Sequence, residues 1–140
     1  VIEIEFFFED IATFEINHEF ASQQIEQLIK EENKEAGDIS VIFCSDEYLL
    51  EMNKTHLNHD YYTDIITFNY VDGKLISGDL FISVDRVKEN AVKFEVSFNE
   101  ELYRVILHGV LHLVGYNDKT GEEKKVMREK ENYYLKKIDF

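Results

Sequence analysis

The segment Val105–Asp118 constrains the fold of this chain more than any other stretch. On a helix, His108 and His112 lie four residues apart and so stack on one face. Gly115 comes three residues after His112, where a helix can stop by entering a left-handed conformation. The chain then turns back, and Asp118 follows three residues later. Helix, stop and return are written into one short run, and any fold the chain adopts has to accommodate them.

The pattern H-x-x-x-H-x-x-G-x-x-D lets two imidazoles converge on one cation, with the carboxylate as third ligand. Neutral imidazole suits Zn²⁺, and an Asp oxygen is an acceptable zinc ligand at about 2.0–2.2 Å. Three protein ligands leave a position for water, the arrangement of a catalytic rather than a structural site. The sequence therefore predicts a zincin-like metal helix with His108, His112 and Asp118 holding one Zn²⁺ per chain, or another divalent ion in its place. The spacing is that of the metzincin proteases, with a carboxylate where their third His usually stands. In H-E-x-x-H enzymes the residue after the first His is the Glu that activates water. Here it is Gly109, so peptide hydrolysis lacks its base and becomes the runner-up. A glycine inside a helix costs about 1 kcal/mol against alanine, which points to tight packing or ligand access at that position.

A chain of 140 residues fits one domain, taken as residues 1–140. Its 44% hydrophobic content places it among globular proteins. No apolar run approaches the roughly 20 residues of a membrane span, and Val1–Phe8 lacks the features of a signal peptide. The single cysteine, Cys44, forms no internal disulfide; in the apolar run Val41–Cys44 it reads as a buried structural thiol. These features predict a cytoplasmic protein with no membrane partner. The net charge of −14 argues against nucleic-acid binding over a broad surface, although a local basic patch or a bound cation can still create an attractive site.

The periodicities predict an α+β fold: a single compact domain with a small mixed β-sheet flanked by helices. Strands are expected at Val1–Phe8, Ile39–Cys44, Asp64–Tyr70 and Gly78–Val84, the last two joined as a hairpin by the turn at Asp72-Gly73. Helices are expected from His18 to Glu35 with Gly37 as the stop, from Ser45 or Asp46 through Met52, over Asp85–Phe94, and from Gly121 to Lys137. Ser97 with Glu100 reads as a capping box opening the histidine helix. Lys54–Tyr62 has no clear period and reads as a loop.

The residues His108-Gly109-Val110-Leu111-His112-Leu113-Val114-Gly115-Tyr116-Asn117-Asp118 resemble the signature H-G-x-L-H-L-x-G-Y-D-H of the YbeY family, bacterial metal-dependent endoribonucleases of ribosomal RNA maturation. Asn53, Asp60, Thr63–Phe68 and Gly78-Asp79 are similar to the family's upstream pattern, so the resemblance spans roughly residues 39–137. It implies a small mixed sheet flanked by helices, zinc, and cleavage of single-stranded RNA linked to small-subunit ribosomal RNA processing. Asp118 stands where the family has a third His, and Leu57 and His59 stand where it often carries Arg and Lys.

The candidate catalytic residues are His59 and Arg104. His59 is read as acid, base or phosphate contact, against the alternative of an exposed loop histidine. Arg104, four residues before His108, is read as neutralising phosphate, against pairing with Glu100 or Glu101. Asp64 and Asp79 are read as capping groups or as supports of the metal ligands, and His56 and His18 as structural or solvated. Lys119, Lys124, Lys125, Arg128 and Lys130 interleave with Glu122, Glu123, Glu129 and Glu131, which favours a solvated helix face over an RNA track. Three functions stay open: an endoribonuclease, a metallopeptidase or other metallohydrolase, and a non-catalytic ribosome-associated RNA-binding factor with a structural metal.

Overall fold

A computed structural model describes residues 3–140. Five helices and four strands follow in the order β1 (Ile4–Phe8), α1 (His18–Glu31), β2 (Glu35–Cys44), α2 (Asp46–Leu57), β3 (Ile65–Asn69), β4 (Leu75–Ser83), α3 (Val84–Lys93), α4 (Phe98–Val114) and α5 (Gly121–Leu135). The strands form one mixed sheet in the order β1-β2-β4-β3. β1 and β4 run parallel to β2, and β3 is the antiparallel edge strand paired with β4 from Ile65↔Ile82 to Asn69↔Gly78. The α+β class and the expected hairpin are both present.

Because side chains alternate across a strand, each strand serves two cores. Val41, Phe43, Leu80 and Ile82 pack with α1, α4 and α5 on one face, whereas Cys44, Ile66 and Phe81 pack with Leu49 and Met52 of α2 on the other. Helix α4 is the keystone of the larger core: Leu102, Ile106, Leu107, Val110 and Leu111 are almost completely enclosed. Cys44 is fully buried, its thiol pushed up to about 12 by burial, with the charge of Asp10 adding to the effect. It behaves as the structural thiol expected.

Several expected boundaries move. Val1 and Ile2 of the first expected strand lie outside the described residues. Helix α1 ends at Glu31 rather than Glu35, with Asn33 taking a left-handed φ of 64°. Gly37 is not a helix stop; it lies in β2 at an irregularity in the pairing with β4, where a Cβ would collide with Ser77 Oγ. β4 accordingly starts at Leu75, paired with Glu35, rather than at Gly78. The expected loop Lys54–Tyr62 begins only at Asn58, whose left-handed φ of 57° closes α2. At Ser97 half of the capping box forms, the hydroxyl accepting from Glu100 N–H; the reciprocal box opens α5 instead, between Thr120 and Glu123.

Candidate metal centre

The site begins with the packing of α4. A Cβ at position 109 would lie 2.7 Å from Ile65 Cδ1 and 3.0 Å from Leu80 Cδ2, so Gly109 lets the helix press directly on β3 and β4. Tight packing is thus the reason for the glycine, and there is no room at this position for the glutamate of a peptidase motif. With that side of the helix against the sheet, His108 and His112 project from a face that stays half-buried at the edge of the core. Gly115, at φ 125°, ends the helix; its N–H donates to His112 O, and Tyr116 N–H donates to Leu111 O. This turn reverses the chain and carries Asp118 back over the two rings.

The three predicted ligands meet. Nε2 of His108 lies 3.0 Å from Nε2 of His112, and Asp118 Oδ2 lies 3.2 Å from the first and 3.3 Å from the second. The circumradius of such a triangle is about 1.8 Å, so bonds of about 2.0–2.2 Å from all three corners reach one common point about 1 Å off its plane. Among the described residues this is the only group of three His, Cys, Asp or Glu side chains with donor atoms that close.

The outer nitrogens decide what the inner ones can do. His112 Nδ1 lies 2.9 Å from the Tyr116 carbonyl, which can only accept, so this nitrogen carries the proton. His108 Nδ1 lies 2.6 Å from Glu131 Oε2, a carboxylate that likewise accepts. In the neutral rings both Nε2 atoms then present lone pairs to each other and to a carboxylate. Three donors converging in this way can hold a metal ion between them.

Glu131 is the residue that sequence reasoning missed. Its alternating charged neighbours suggest a solvated face, yet it is 6% exposed and also accepts from Arg104 at 2.8 Å and Arg128 at 3.4 Å. Burial works to raise its pKa, but His108 and Arg104 hold the carboxyl below its ordinary value. Burial likewise opposes the charged form of His108; the hydrogen bond and charge of Glu131, with Asp64 and Asp118, leave its pKa above that of a free imidazole. Asp64, at the entry to β3, is pushed up by burial and partly drawn back by His108.

Two clefts open on the triad. One, of about 470 Å³, is walled by the loop from Asn58 to Asp64 and by β3, and holds His59 at its margin. The buried side chain of Asn53 braces that loop by donating to Tyr61 O, while the Asn53 carbonyl accepts from His59 N–H. The His59 ring stacks on Tyr61 with a centroid distance of 5.1 Å. The other cleft, of about 320 Å³, lies between α3, α4 and α5 and is lined by Arg104. Arg104 does not pair with Glu100 or Glu101; Glu131 and Asn132 engage its guanidinium. Elsewhere, His56 packs edge-on against Phe68, His18 lies tilted against Phe6, and Asp79 raises the pKa of Tyr70, so none of these joins the triad.

The sequence profile described as Endoribonuclease YbeY matches residues 6–139, nearly the whole chain. The chain belongs to the YbeY family. Among its YbeY relatives, the Endoribonuclease YbeY of Azobacteroides pseudotrichonymphae is 54% identical over 123 residues, 88% of each chain. That of Parabacteroides distasonis is 52% identical over 94% of this chain and 93% of the relative. The solution structure of TM1509 from Thermotoga maritima superposes with a TM-score of 0.66 at 28% identity, covering 96% of this chain and 87% of the other. The YbeY motif and the converging triad are therefore the same residues, with Asp118 filling the place of the expected third His.

Proposed function

We propose that this chain is a metal-dependent endoribonuclease that cleaves single-stranded RNA and acts in ribosomal RNA maturation, at the 3′ end of the small-subunit RNA. Relatives named as endoribonucleases at 54% and 52% identity support RNA hydrolysis. The observation that carries the metal dependence is the triangle of two lone-pair nitrogens and one carboxylate oxygen with edges of 3.0 to 3.3 Å. His108, His112 and Asp118 hold the cation, zinc being the best match to this donor set. When bound, such an ion makes water a stronger nucleophile at neutral pH and stabilises charge developing on a phosphoryl oxygen.

The chain's own groups do the rest. Glu131 and the Tyr116 carbonyl fix the two imidazole tautomers and orient the rings. His59, on the wall of the larger cleft, exchanges a proton with the reacting phosphodiester or contacts its phosphate. Arg104 keeps guanidinium N–H donors beyond the two used by Glu131 and Asn132, and these face phosphate in the smaller cleft. The bound cation and these local bases overcome the repulsion expected from a net charge of −14.

Purified chain is incubated at low salt with single-stranded RNA, with a small-subunit precursor carrying a 3′ extension, and with casein, under Zn²⁺, Mn²⁺ and Mg²⁺. Metal-dependent RNA cleavage that is lost in His112→Ala, with casein intact, is the expected result. RNA binding without cleavage under any ion favours a ribosome-associated binding factor, and casein hydrolysis favours a peptidase. No helix among the described residues is long and apolar enough to cross a membrane.

A further inference from the structure

One carboxylate beside the triad has no partner. Glu101, two turns before His108 on α4, is 4% exposed and lines the smaller cleft. Among the described residues its oxygens take no hydrogen bond and no ion pair; burial raises its pKa, and only the more distant charges of Arg104 and Arg128 offset this. No fully enclosed side-chain oxygen or nitrogen among the described residues lacks a partner, so the Glu101 oxygens are the part of the residue that still reaches the cleft. A buried carboxyl held in this way without a partner is stabilised as an acceptor only when something entering the cleft donates to it.

The surroundings select the donor. Phe94 is 49% exposed and Met127 forms an apolar wall, while Asn90 offers an amide; Lys124 and Arg128 are exposed and line the same cleft. Asp64, Asp118 and Glu131 line the cleft as well, so net charge does not choose the donor, but the exposed Lys124 and Arg128 suit a neutral ring that carries a phosphate. Among the RNA bases, adenine and cytosine set one amine beside an acceptor, and uracil flanks its single N–H with two carbonyls. Guanine alone offers two adjacent donors, N1–H and the N2 amine, which match a carboxylate's two oxygens. We propose that this cleft is a guanine subsite, in which Glu101 accepts both N–H groups, Phe94 and Met127 flank the ring, and Lys124 and Arg128 meet the phosphate. The cleft also reaches His108 and Asp118, so the bound guanosine lies next to the scissile bond. This deepens the endoribonuclease reading and rests on it only for the origin of the guanine. The cavity of about 320 Å³ is at the small end of ligand pockets, as one nucleotide requires.

Calorimetry on the zinc-loaded chain with GMP, IMP, AMP, CMP and UMP tests the subsite, because the common phosphate cancels any contact with the metal. GMP is expected to bind about tenfold tighter than the other three standard nucleotides, and IMP, which lacks the N2 amine, to lose most of that advantage. Glu101→Gln should abolish the guanine preference and favour AMP, whose amine and ring nitrogen match an amide, with zinc affinity unchanged. If Glu101→Gln folds poorly, Phe94→Ala at its exposed position should weaken GMP without altering zinc binding. Equal affinity for GMP and IMP, or a preference that survives Glu101→Gln, overturns the proposal. A guanine preference in a chain that cleaves no RNA upholds the subsite while the endoribonuclease reading fails. RNA cleavage with no base preference in binding does the reverse.

Discussion

Replacing Glu131 by Gln keeps the shape of the side chain and removes its charge. The carboxylate accepts from His108 through one oxygen at 2.6 Å and from Arg104 through the other at 2.8 Å. A glutamine can accept at only one of these places, and its NH₂ group then faces a donor at the other. Loss of a hydrogen-bonded support behind a ligating imidazole typically lowers metal affinity about 10–100-fold, or roughly 1.4–2.7 kcal/mol. The metal-free chain loses a charge-assisted hydrogen bond, about 1.5–3 kcal/mol. The lower end applies, because Arg104 retains Asn132. At about 3 °C per kcal/mol for a chain of this size, the thermal midpoint falls by roughly 5 °C.

The pH dependence has a defined sign. His108 is raised in the folded state, so its share of the stabilisation is full below about pH 6.5 and declines as pH rises through its folded pKa. Glu131 is lowered, so its share is present above about pH 4.3 and is lost as pH falls through its own folded pKa. The gap in midpoint between wild type and Glu131→Gln, measured without metal by circular dichroism, should therefore be widest near pH 5–6 and narrower at pH 8. Zinc affinity, measured by competition with a chromophoric chelator at pH 7.5, should show the stated loss. Equal zinc affinities for the two proteins would refute the assigned role of Glu131.

Asp118→Ala leaves two imidazoles, and zinc retained by native purification should drop to near background in elemental analysis; stoichiometric retention would remove Asp118 from the ligand set. Gly109→Ala drives a methyl toward Ile65 and Leu80 at 2.7 and 3.0 Å. Overpacking of about 1–3 kcal/mol, less the roughly 1 kcal/mol gained in helix propensity, should appear in urea denaturation as a modest loss. Gly109→Glu should fail to fold stably and gain no peptidase activity, whereas a stable, casein-cleaving variant would contradict the packing described. Cys44, its thiol pushed up to about 12, should resist alkylation at pH 8 until the chain is unfolded, and rapid labelling of the native protein would show that the core is open there.

The convergence of His108, His112 and Asp118 was legible because they lie in one continuous run, where helical periodicity and a glycine stop fix their relative directions. Glu131 was not legible. It arrives from another helix, between Lys130 and Asn132, in a stretch whose alternating charges look solvated. Only the docking of α5 on α4 distinguishes it from Glu129. The support from Tyr116 is a backbone carbonyl and leaves no mark in residue identity. The hairpin of β3 and β4 was visible in its turn residues, but the β1-β2-β4-β3 order depends on pairing between distant segments. That same pairing draws Ala36 and Gly37 into a strand although they follow a helix. Asn53 read only as a motif residue, because its bracing of the loop depends on burial that no local pattern specifies.

The support of His108 by α5 sets an order of assembly. Until α5 has been synthesised and seated, His108 lacks the carboxylate that orients its ring and fixes its tautomer. A nascent polypeptide that already contains both histidines and the aspartate therefore lacks the same support that Glu131→Gln removes, and should hold an ion about 10–100-fold more weakly than the finished fold.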